Sequence, residues 1–351
     1  IDQLLSSFIG SPYALGSAQA NLNVGAVVGS YLVLDEFHLY PLEKGAGARK
    51  TTLAMLQLLK GLSPFVLMTA TFSSRLLDEL GALLDAEVVR VTDDHELAEI
   101  MGDRTRTMQV SPAALSAEGI LSAHAAARAR GAGASLVVCN TVAQAQTIYT
   151  QLRDTLAARE ETDGTRLQLL HSRFTQVDRQ AKRESLEQWL GKDAWRDGRY
   201  LGPSTIVVAT QVVEVGLNIS VGALHTELAP ANSIIQRAGR CARFAGQRGD
   251  VIVYHPLAPS AAGAEGSTEG RQSLADYGAQ TDDTREAQRK AKAAYLPYER
   301  ETCEATWREL ARRAGATGGT PLPFGFADEQ ALIDVVHTDA DAAMIADFTG
   351  S

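Results

Sequence analysis

Two sets of polar residues in this chain have the types and the spacing for phosphate chemistry. The segment VATQVVEVGLNIS at 208–220 is followed by QRAGRCAR at 236–243. Gln236, Arg240 and Arg243 stand at i, i+4 and i+7, so the spacing predicts one helix face with an amide and two guanidinium groups. Planar, permanently charged donors suit the spread charge of a phosphoryl group in transfer, which indicates a triphosphate ligand. The alternative for this segment alone is an exposed basic helix.

The second set is LVLDEFHLYP at 32–41, an apolar run that ends in two carboxylates and a histidine. This pattern is typical of a buried parallel strand that delivers acids to its C-terminal edge. There Asp35 is predicted to hold Mg²⁺ through its water shell, and Glu36 to orient or deprotonate the attacking water. His38 is predicted to relay between this site and the facing domain. A solvated turn is the alternative.

The elements that must position these residues alternate between strand and helix, which predicts an α/β fold of doubly wound parallel sheets. In two facing domains of this kind, a ligand is expected to bind in the cleft between them, at the strand ends. A linker is predicted over DDHELAE and MGDRTRT, at 93–107. Strands are predicted at 31–34, 65–69, 87–91, 135–139, 167–170, 205–209, 225–228 and 251–254. Helices are predicted at 51–62, 74–84, 142–158, 176–190, 234–242, 285–294, 299–314 and 329–336.

Six segments resemble, in order, the motifs of superfamily 2 helicases, and within them the CRISPR-associated helicase-nuclease of type I interference systems. The resemblance runs from Ile1 to about Tyr254 and is weak beyond Tyr295. The last segment is the most specific of the set. The six are IDQLL (1–5), DEFH (35–38), MTATFS (68–73), VVCNTVAQAQTIYTQL (137–152), LLHSRFTQVDR (169–179) and ELAPANSIIQRAGRCARF (227–244).

The resemblance implies two RecA-like domains, the first incomplete, followed by a mainly helical C-terminal extension. The expected ranges are 1–105 for the first domain, 106–255 for the second and 256–351 for an acidic linker and the extension. The implied activity is ATP-driven 3′ to 5′ translocation on single-stranded DNA, with ATP and Mg²⁺ as cofactors. The implied partner is an RNA-guided CRISPR surveillance complex that has already opened the target.

The resemblance also assigns binding residues. One departure is Asn218, which stands where the family has an aspartate that is a candidate ribose contact; an amide keeps a hydrogen bond and loses the charge. The implied nucleotide contacts are Thr69, Thr71, Glu214, Gly216 and Asn218. The implied nucleic-acid contacts are Asp2, Gln3, Asn140, Thr141, His171, Ser172, Arg173, Thr210 and Gln211.

A phosphate-binding loop of the form GxxxxGK[ST] is absent from the sequence. GAGARKTT at 45–52 is superficially similar, but Arg49 occupies the glycine position and the segment follows the acid-bearing strand, so it is predicted to begin a helix with Lys50 on its surface. The family's nuclease histidines and aspartates are also missing. We therefore expect a fragment that lacks an N-terminal segment with the Walker A motif, and possibly an HD nuclease domain. Such a fragment is expected not to hydrolyse ATP by itself.

Two other functions fit the same residues. One is a non-hydrolysing, helicase-like binding module that docks on a partner through an acidic tail. The other is a different superfamily 2 translocase that acts on duplex DNA or RNA. The acidic catalytic pair and the arginine motif favour the motor, because a protein relieved of hydrolysis needs neither.

Composition is consistent with a cytoplasmic protein that binds DNA locally. The net charge is −9, but residues 256–351 hold 16 acidic against 9 basic residues, so most of the acidity lies in the tail. Affinity for DNA follows local phosphate contacts, and Arg173, Arg179, Lys182 and Arg183 form one basic cluster, or a mixed charged helix face. Three widely spaced cysteines indicate a reducing compartment. No apolar run reaches the roughly 18 residues of a membrane span.

Overall fold

The computed structural model describes residues 27–39, 48–90, 94–158, 164–256, 294–316 and 320–349. The chain divides into two compact units, one formed by Ile1–Arg90 with Ile333–Ser351 and the other by Val91–Leu332. The predicted boundaries at 105 and 255 therefore differ from the division of the structure. Residues after 90 group with the second unit because the strand that begins at Thr105 joins its sheet.

The first unit is built on two parallel strands, β1 (Leu32–Leu34) and β2 (Phe65–Leu67), in which Leu32 faces Phe65. Helices α1 (Ala48–Leu58) and α2 (Ser74–Leu84) accompany them. Ser73 caps the N-terminus of α2. Its side chain accepts a hydrogen bond from the backbone N–H of Leu76, which satisfies one of the free donors of the first turn. The core consists of residues from both strands and both helices, including Leu34, Phe37, Leu53, Leu56, Leu76 and Leu80.

The acid-bearing strand is buried on one face only. Leu32 and Leu34 are buried, whereas the side chain of Val33 is 62% exposed and that of Val66 on the neighbouring strand is 51% exposed. Strand β1 is parallel as predicted, but among the described residues only one of its faces is buried. Alternation with period two places Val33 on the opposite face from the core, and no described residue covers that face.

The second unit is built on a seven-stranded sheet in the order β11-β3-β10-β9-β4-β8-β5, parallel except for the short β11 at its edge. All residues of β4 and β8 are buried, as expected for apolar, β-branched strands at the centre of a parallel sheet. The strands are β3 (Thr105–Ser111), β4 (Ala134–Val138), β5 (Arg166–Leu170), β8 (Thr205–Ala209), β9 (Ala223–Glu227), β10 (Arg248–Tyr254) and β11 (Leu322–Pro323). A two-stranded hairpin is formed by β6 (Trp195–Arg196) and β7 (Arg199–Tyr200).

Helices connect the strands of this unit. They are α3 (Asp94–Met101), α4 (Ala117–Ala129), α5 (Val142–Ala158), α6 (Gln176–Leu190), α7 (Ala231–Ala238) and α8 (Arg300–Ala316), and α9 (Phe326–Thr349) begins here. At the N-termini of two of these helices, a hydroxyl side chain accepts a hydrogen bond from a backbone N–H group of the first turn. Ser116 accepts the N–H of Gly119 before α4, and Thr175 accepts that of Asp178 before α6.

The α/β class and most elements agree with prediction, and the disagreements are local. Residues 86–90 form no strand, and the predicted linker contains α3 and the start of β3. Helix α4 was not predicted. The predicted helix at 285–294 and the linker before it lie almost wholly outside the described residues. Helix α1 begins at Ala48 in the segment that mimics a phosphate loop, as expected.

The extension is held by an acidic residue between two arginines. Hydrogen bonds from Arg312 lower the pKa of Glu309 to about 2, and hydrogen bonds from Arg313 add to this effect. Burial of the carboxylate offsets part of the shift. Arg313 also donates to the backbone carbonyl of Asp328, at 3.0 Å, which fixes α8 against the start of α9. No helix in the described part of the chain is long and apolar enough to cross a membrane.

Candidate functional site

The acid pair follows β1 in a tight turn. The backbone N–H of Glu36 donates to Asp35 Oδ1 at 2.8 Å, and Glu36 has a φ of 50°. A glutamate in this left-handed region is uncommon and strained. The next residue, Phe37, is fully buried and its N–H donates to the carbonyl of Met68, at 2.9 Å. The fixed Phe37 thus determines where the two carboxylates emerge, and both remain accessible to solvent.

His38 connects the acid turn to the segment after β2. Its Nδ1 lies 3.2 Å from Thr69 Oγ1 and 3.6 Å from Glu36 Oε2. The Thr69 hydroxyl also accepts the N–H of Thr71, at 3.4 Å, and the buried Thr71 Oγ1 has no hydrogen-bond partner among the described residues. The structure therefore brings together Glu36, His38, Thr69 and Thr71. A relay from His38 to the facing domain stays a prediction.

The acid turn fits Mg²⁺ as a water-bound ion. Among the described residues there is no cluster of three or more His, Cys, Asp or Glu side chains that could hold a metal ion alone. Magnesium commonly keeps several waters and binds one or two carboxylates together with substrate phosphates. The exposed Asp35 carboxylate meets that requirement, and the orphaned Thr71 hydroxyl is a further polar atom in the same unit that lacks a partner.

The arginine motif does not form one helix face. Helix α7 ends at Ala238, with Gly239 as its cap, so Gln236 is helical while Arg240 and Arg243 lie beyond the helix. The prediction was wrong here because the chain leaves the helix to pair with Val221, whose N–H donates to the carbonyl of Arg240 and whose carbonyl accepts the N–H of Ala242. A bridge to a distant residue is invisible to helical periodicity.

The two outer arginines have different surroundings. Arg240 is buried, and its guanidinium donates from Nε to the carbonyl of Val213, at 2.9 Å, and from Nη2 to that of Glu214. Arg243 is half-buried, and its Nε donates to Asn218 Oδ1 at 2.9 Å. The tertiary fold thus joins Arg243 to Asn218, two predicted nucleotide residues from separate motifs. It places Arg240 on the backbone of Val213 and Glu214, in the segment that precedes Asn218.

Arg237 was not predicted as a site residue, and it is fully buried. Its Nε donates to Glu214 Oε1 at 2.7 Å, and its Nη1 donates to Thr226 Oγ1 at 2.7 Å and to the carbonyl of Glu227 at 3.0 Å. Its Nη2 donates to Asn140 Oδ1 at 3.1 Å. The available signal was its position beside Gln236, which turns it toward the apolar face of α7.

Asn140 and Gln211, both predicted to contact DNA, belong to the same network. The N–H of Asn140 donates to Glu227 Oε2 at 2.6 Å, its Nδ2 donates to the carbonyl of Leu228 at 2.7 Å, and its carbonyl accepts Nε2 of Gln211 at 2.8 Å. Thr210 is buried at the end of β8. The Asn140 side chain is therefore occupied by the protein, and its contribution to DNA binding stays a prediction.

Burial and neighbouring groups shift the pKa values of this network in opposite directions. Burial raises the pKa of Glu227, against the opposing effects of the Asn140 N–H and of Arg237. Burial by itself lowers the pKa of Arg237, but Tyr298, Glu214 and Glu227 raise it, and the net shift is upward. The guanidinium therefore stays charged, and its removal would leave Glu214 poorly compensated.

The segment after β5 places its predicted DNA-binding residues at different depths. His171 is buried and its ring stacks on Phe174 at 4.3 Å between centroids, and its pKa is lowered chiefly by burial. Ser172 and Arg173 are exposed. The ammonium group of Lys182 lies over the ring of Phe174, 4.5 Å from its centroid. This surface offers cationic and aromatic groups of the kind that bind single strands.

Four further predicted residues complete the account. Thr141 accepts the N–H of Gln144 at 3.2 Å, at the start of α5. Gly216 has a φ of 72°, a left-handed conformation that glycine adopts without strain. Its carbonyl accepts Nη2 of Arg183. Asp2 and Gln3 lie outside the described residues.

Comparison with known proteins finds similarity to one protein family. Residues 131–246 match the family model of the CRISPR-associated nuclease/helicase Cas3, C-terminal part. The CRISPR-associated helicase Cas3 of Thermoproteus tenax is 27% identical over 235 residues, which cover 67% of this chain and 35% of that protein. Residues 131–246 of the chain are therefore similar to the C-terminal part of the CRISPR-associated nuclease/helicases of the Cas3 family.

Solved Cas3 structures share the RecA-like α/β fold. The ATP-bound Cas3 of T. fusca superposes with a TM-score of 0.63 at 21% identity, covering 94% of this chain and 39% of that one. A chain of a CRISPR RNA-guided surveillance complex in a pre-nicking state superposes with a TM-score of 0.61 at 19% identity, covering 99% of this chain and 42% of that one. This chain thus spans well under half the length of the Cas3 proteins it matches.

Proposed function

We propose that this chain is the motor portion of an ATP-dependent helicase that translocates on single-stranded DNA in type I CRISPR interference. The observation that carries the proposal is the hydrogen bond between Arg243 and Asn218. It joins the segments at 208–220 and 236–243 at a half-buried guanidinium, a placement that suits contact with a charged nucleotide.

Each unit carries residues that we assign to nucleotide hydrolysis. Glu36 orients the attacking water and accepts its proton, and the hydrogen-bonded His38 and Thr69 limit the freedom of the acid turn. Arg243 stabilises the charge that develops on the phosphoryl oxygens, while Arg240 holds the loop at Val213 and Glu214 in place. Asp35 would hold Mg²⁺ through its water shell, and the ion would supply neutralisation of the phosphate charge.

The nucleic-acid contacts and the partner follow from the same family. Ser172 and Arg173 lie exposed beside the aromatic Phe174, which favours a single-stranded polyanion. One structure with this fold is described as an RNA-guided surveillance complex, and we propose a corresponding complex as the partner of this chain.

Glu36→Gln tests the motor in the protein expressed from its complete gene. We expect nucleotide binding to persist while DNA-stimulated ATP turnover stops, because the amide cannot accept the proton of water. Glu79→Gln is the matched control: Glu79 lies in the same unit and pairs with the exposed Arg75, at 2.7 Å, away from the acid turn. Its turnover should equal that of the unmodified protein.

The outcomes separate the alternatives. Near-normal turnover by Glu36→Gln would remove Glu36 from the mechanism. An unmodified protein that binds nucleotide and DNA without any hydrolysis would instead support a helicase-like binding module. Unwinding of duplex RNA in preference to translocation on single-stranded DNA would support a different superfamily 2 translocase.

A further inference from the structure

Tyr298, which lies outside every helicase motif, contacts the buried arginine of the last motif. It stands in the turn before α8, where its own N–H donates to the carbonyl of Tyr295, at 2.8 Å. Its hydroxyl accepts a hydrogen bond from Arg237 Nη2, also at 2.8 Å, and its ring lies 5.8 Å from the guanidinium carbon. The extension thus contributes a polar contact to the helicase core.

The hydroxyl of Tyr298 completes the hydrogen bonding of Arg237. A guanidinium has five N–H donors and no acceptor. The remaining four acceptors are Glu214 Oε1, Thr226 Oγ1, the carbonyl of Glu227 and Asn140 Oδ1. If the Tyr298 hydroxyl were absent, the fifth N–H donor of Arg237 would have no acceptor, because water does not reach this fully buried side chain. A buried donor without a hydrogen bond lowers the free energy of unfolding.

The nitrogen that binds Tyr298 is also the one that binds Asn140. The backbone carbonyl of Asn140 in turn accepts a hydrogen bond from Gln211 Nε2. These two residues form one branch of the network, the branch predicted to contact DNA. The Nε of Arg237 binds Glu214, whose carbonyl accepts Arg240, so this branch leads to the motif predicted to face the nucleotide. Arg237 stands between the two branches, and Tyr298 fixes the orientation of its plane.

We infer that Tyr298 is a positioning residue that sets how strongly DNA binding stimulates ATP hydrolysis. The inference rests on the proposed function. The extension thereby acts as part of the motor. Loss of the Tyr298 hydroxyl would free Nη2 of Arg237 to shift relative to Asn140. It would remove no group that is proposed to touch the nucleotide.

The test is Tyr298→Phe in the protein expressed from its complete gene, with kcat measured with and without single-stranded DNA and KM measured for ATP. Phenylalanine keeps the ring over the guanidinium and removes only the acceptor. We expect the DNA-stimulated kcat to fall about two- to thirty-fold, the usual range for residues that modulate coupling, while KM for ATP changes by less than about two-fold.

Tyr295→Phe is the matched control. Tyr295 lies three residues earlier, is buried, and donates its hydroxyl to Glu304 within the extension itself. The same chemical change there tests general loosening of the extension, and it should leave the ratio of stimulated to basal kcat unchanged.

Each result has one meaning. A normal stimulated rate in Tyr298→Phe, with an active parent protein, would overturn the inference and leave the proposed function intact. An equal loss in both variants would also overturn it, because the effect would then be structural. A parent protein without any ATP hydrolysis would contradict the proposed function, and the inference with it.

Discussion

Replacing Arg237 by methionine should destabilise the second unit severely. Methionine keeps the apolar stem of the side chain and removes the guanidinium, so the main loss is electrostatic, with a smaller loss from the space that the guanidinium filled. The change strips donors from Glu214, whose side chain is only 10% exposed, and from Asn140, Thr226 and Tyr298. Removing one partner of a buried pair costs about 3 to 5 kcal/mol, a large part of the roughly 5 to 15 kcal/mol that stabilises a domain.

The assay is denaturant unfolding of the chain followed by tryptophan fluorescence. All three tryptophans, Trp189, Trp195 and Trp307, lie in the second unit, so the signal reports on that unit alone. The control is Arg153→Met: Arg153 pairs with Asp154 at 2.9 Å, and their side chains are 59% and 61% exposed. Loss of this exposed pair should change stability by less than about 0.5 kcal/mol.

A double variant sharpens the result. Arg237→Met with Glu214→Met removes both charges and should recover part of the lost stability, because replacing both partners of a buried pair by apolar groups is often close to neutral. A loss under about 1 kcal/mol in Arg237→Met, or no recovery in the double variant, would refute the view that an uncompensated buried carboxylate causes the instability.

Four other substitutions have defined outcomes. Arg243→Ala should lower ATP hydrolysis about 10³- to 10⁵-fold with a normal unfolding midpoint, whereas Arg240→Ala should lower hydrolysis and stability together, because Arg240 also holds backbone carbonyls. Asn218→Asp should be tolerated and should bind nucleotide as well as or more tightly than the parent, since a carboxylate strengthens the hydrogen bond from Arg243; a collapse in turnover would assign the amide a separate role. Glu309, whose folded pKa of about 2 lies below the unfolded value of 4.5, stabilises above pH 4.5 and loses this contribution as the pH falls toward 2. Glu309→Gln should therefore lower stability by about 1 to 2 kcal/mol at pH 7 and by much less at pH 2 to 3, and an equal loss at both values would contradict this origin.

The elements with strong local signals were predicted well. Helices α2, α5 and α6 and strand β8 have their predicted bounds, because each combines an apolar face or run with a clear beginning and end. Strand β3 was missed because its alternating charged and apolar residues resemble a linker until they pair with β10 and β11. The pairing supplies a stability that no local pattern contains.

The sequence by itself determined the order of the motifs, the acid pair at Asp35 and Glu36, and the α/β class, because these depend on residue type and spacing along one stretch of chain. Only the tertiary structure decided that α7 stops at Ala238, that Arg243 meets Asn218, and that Arg237 is saturated by Tyr298 from 61 residues away. The physical reason is that a buried guanidinium must find acceptors wherever the packed chain places them. Its partners are chosen by proximity in space and leave no periodicity in the sequence.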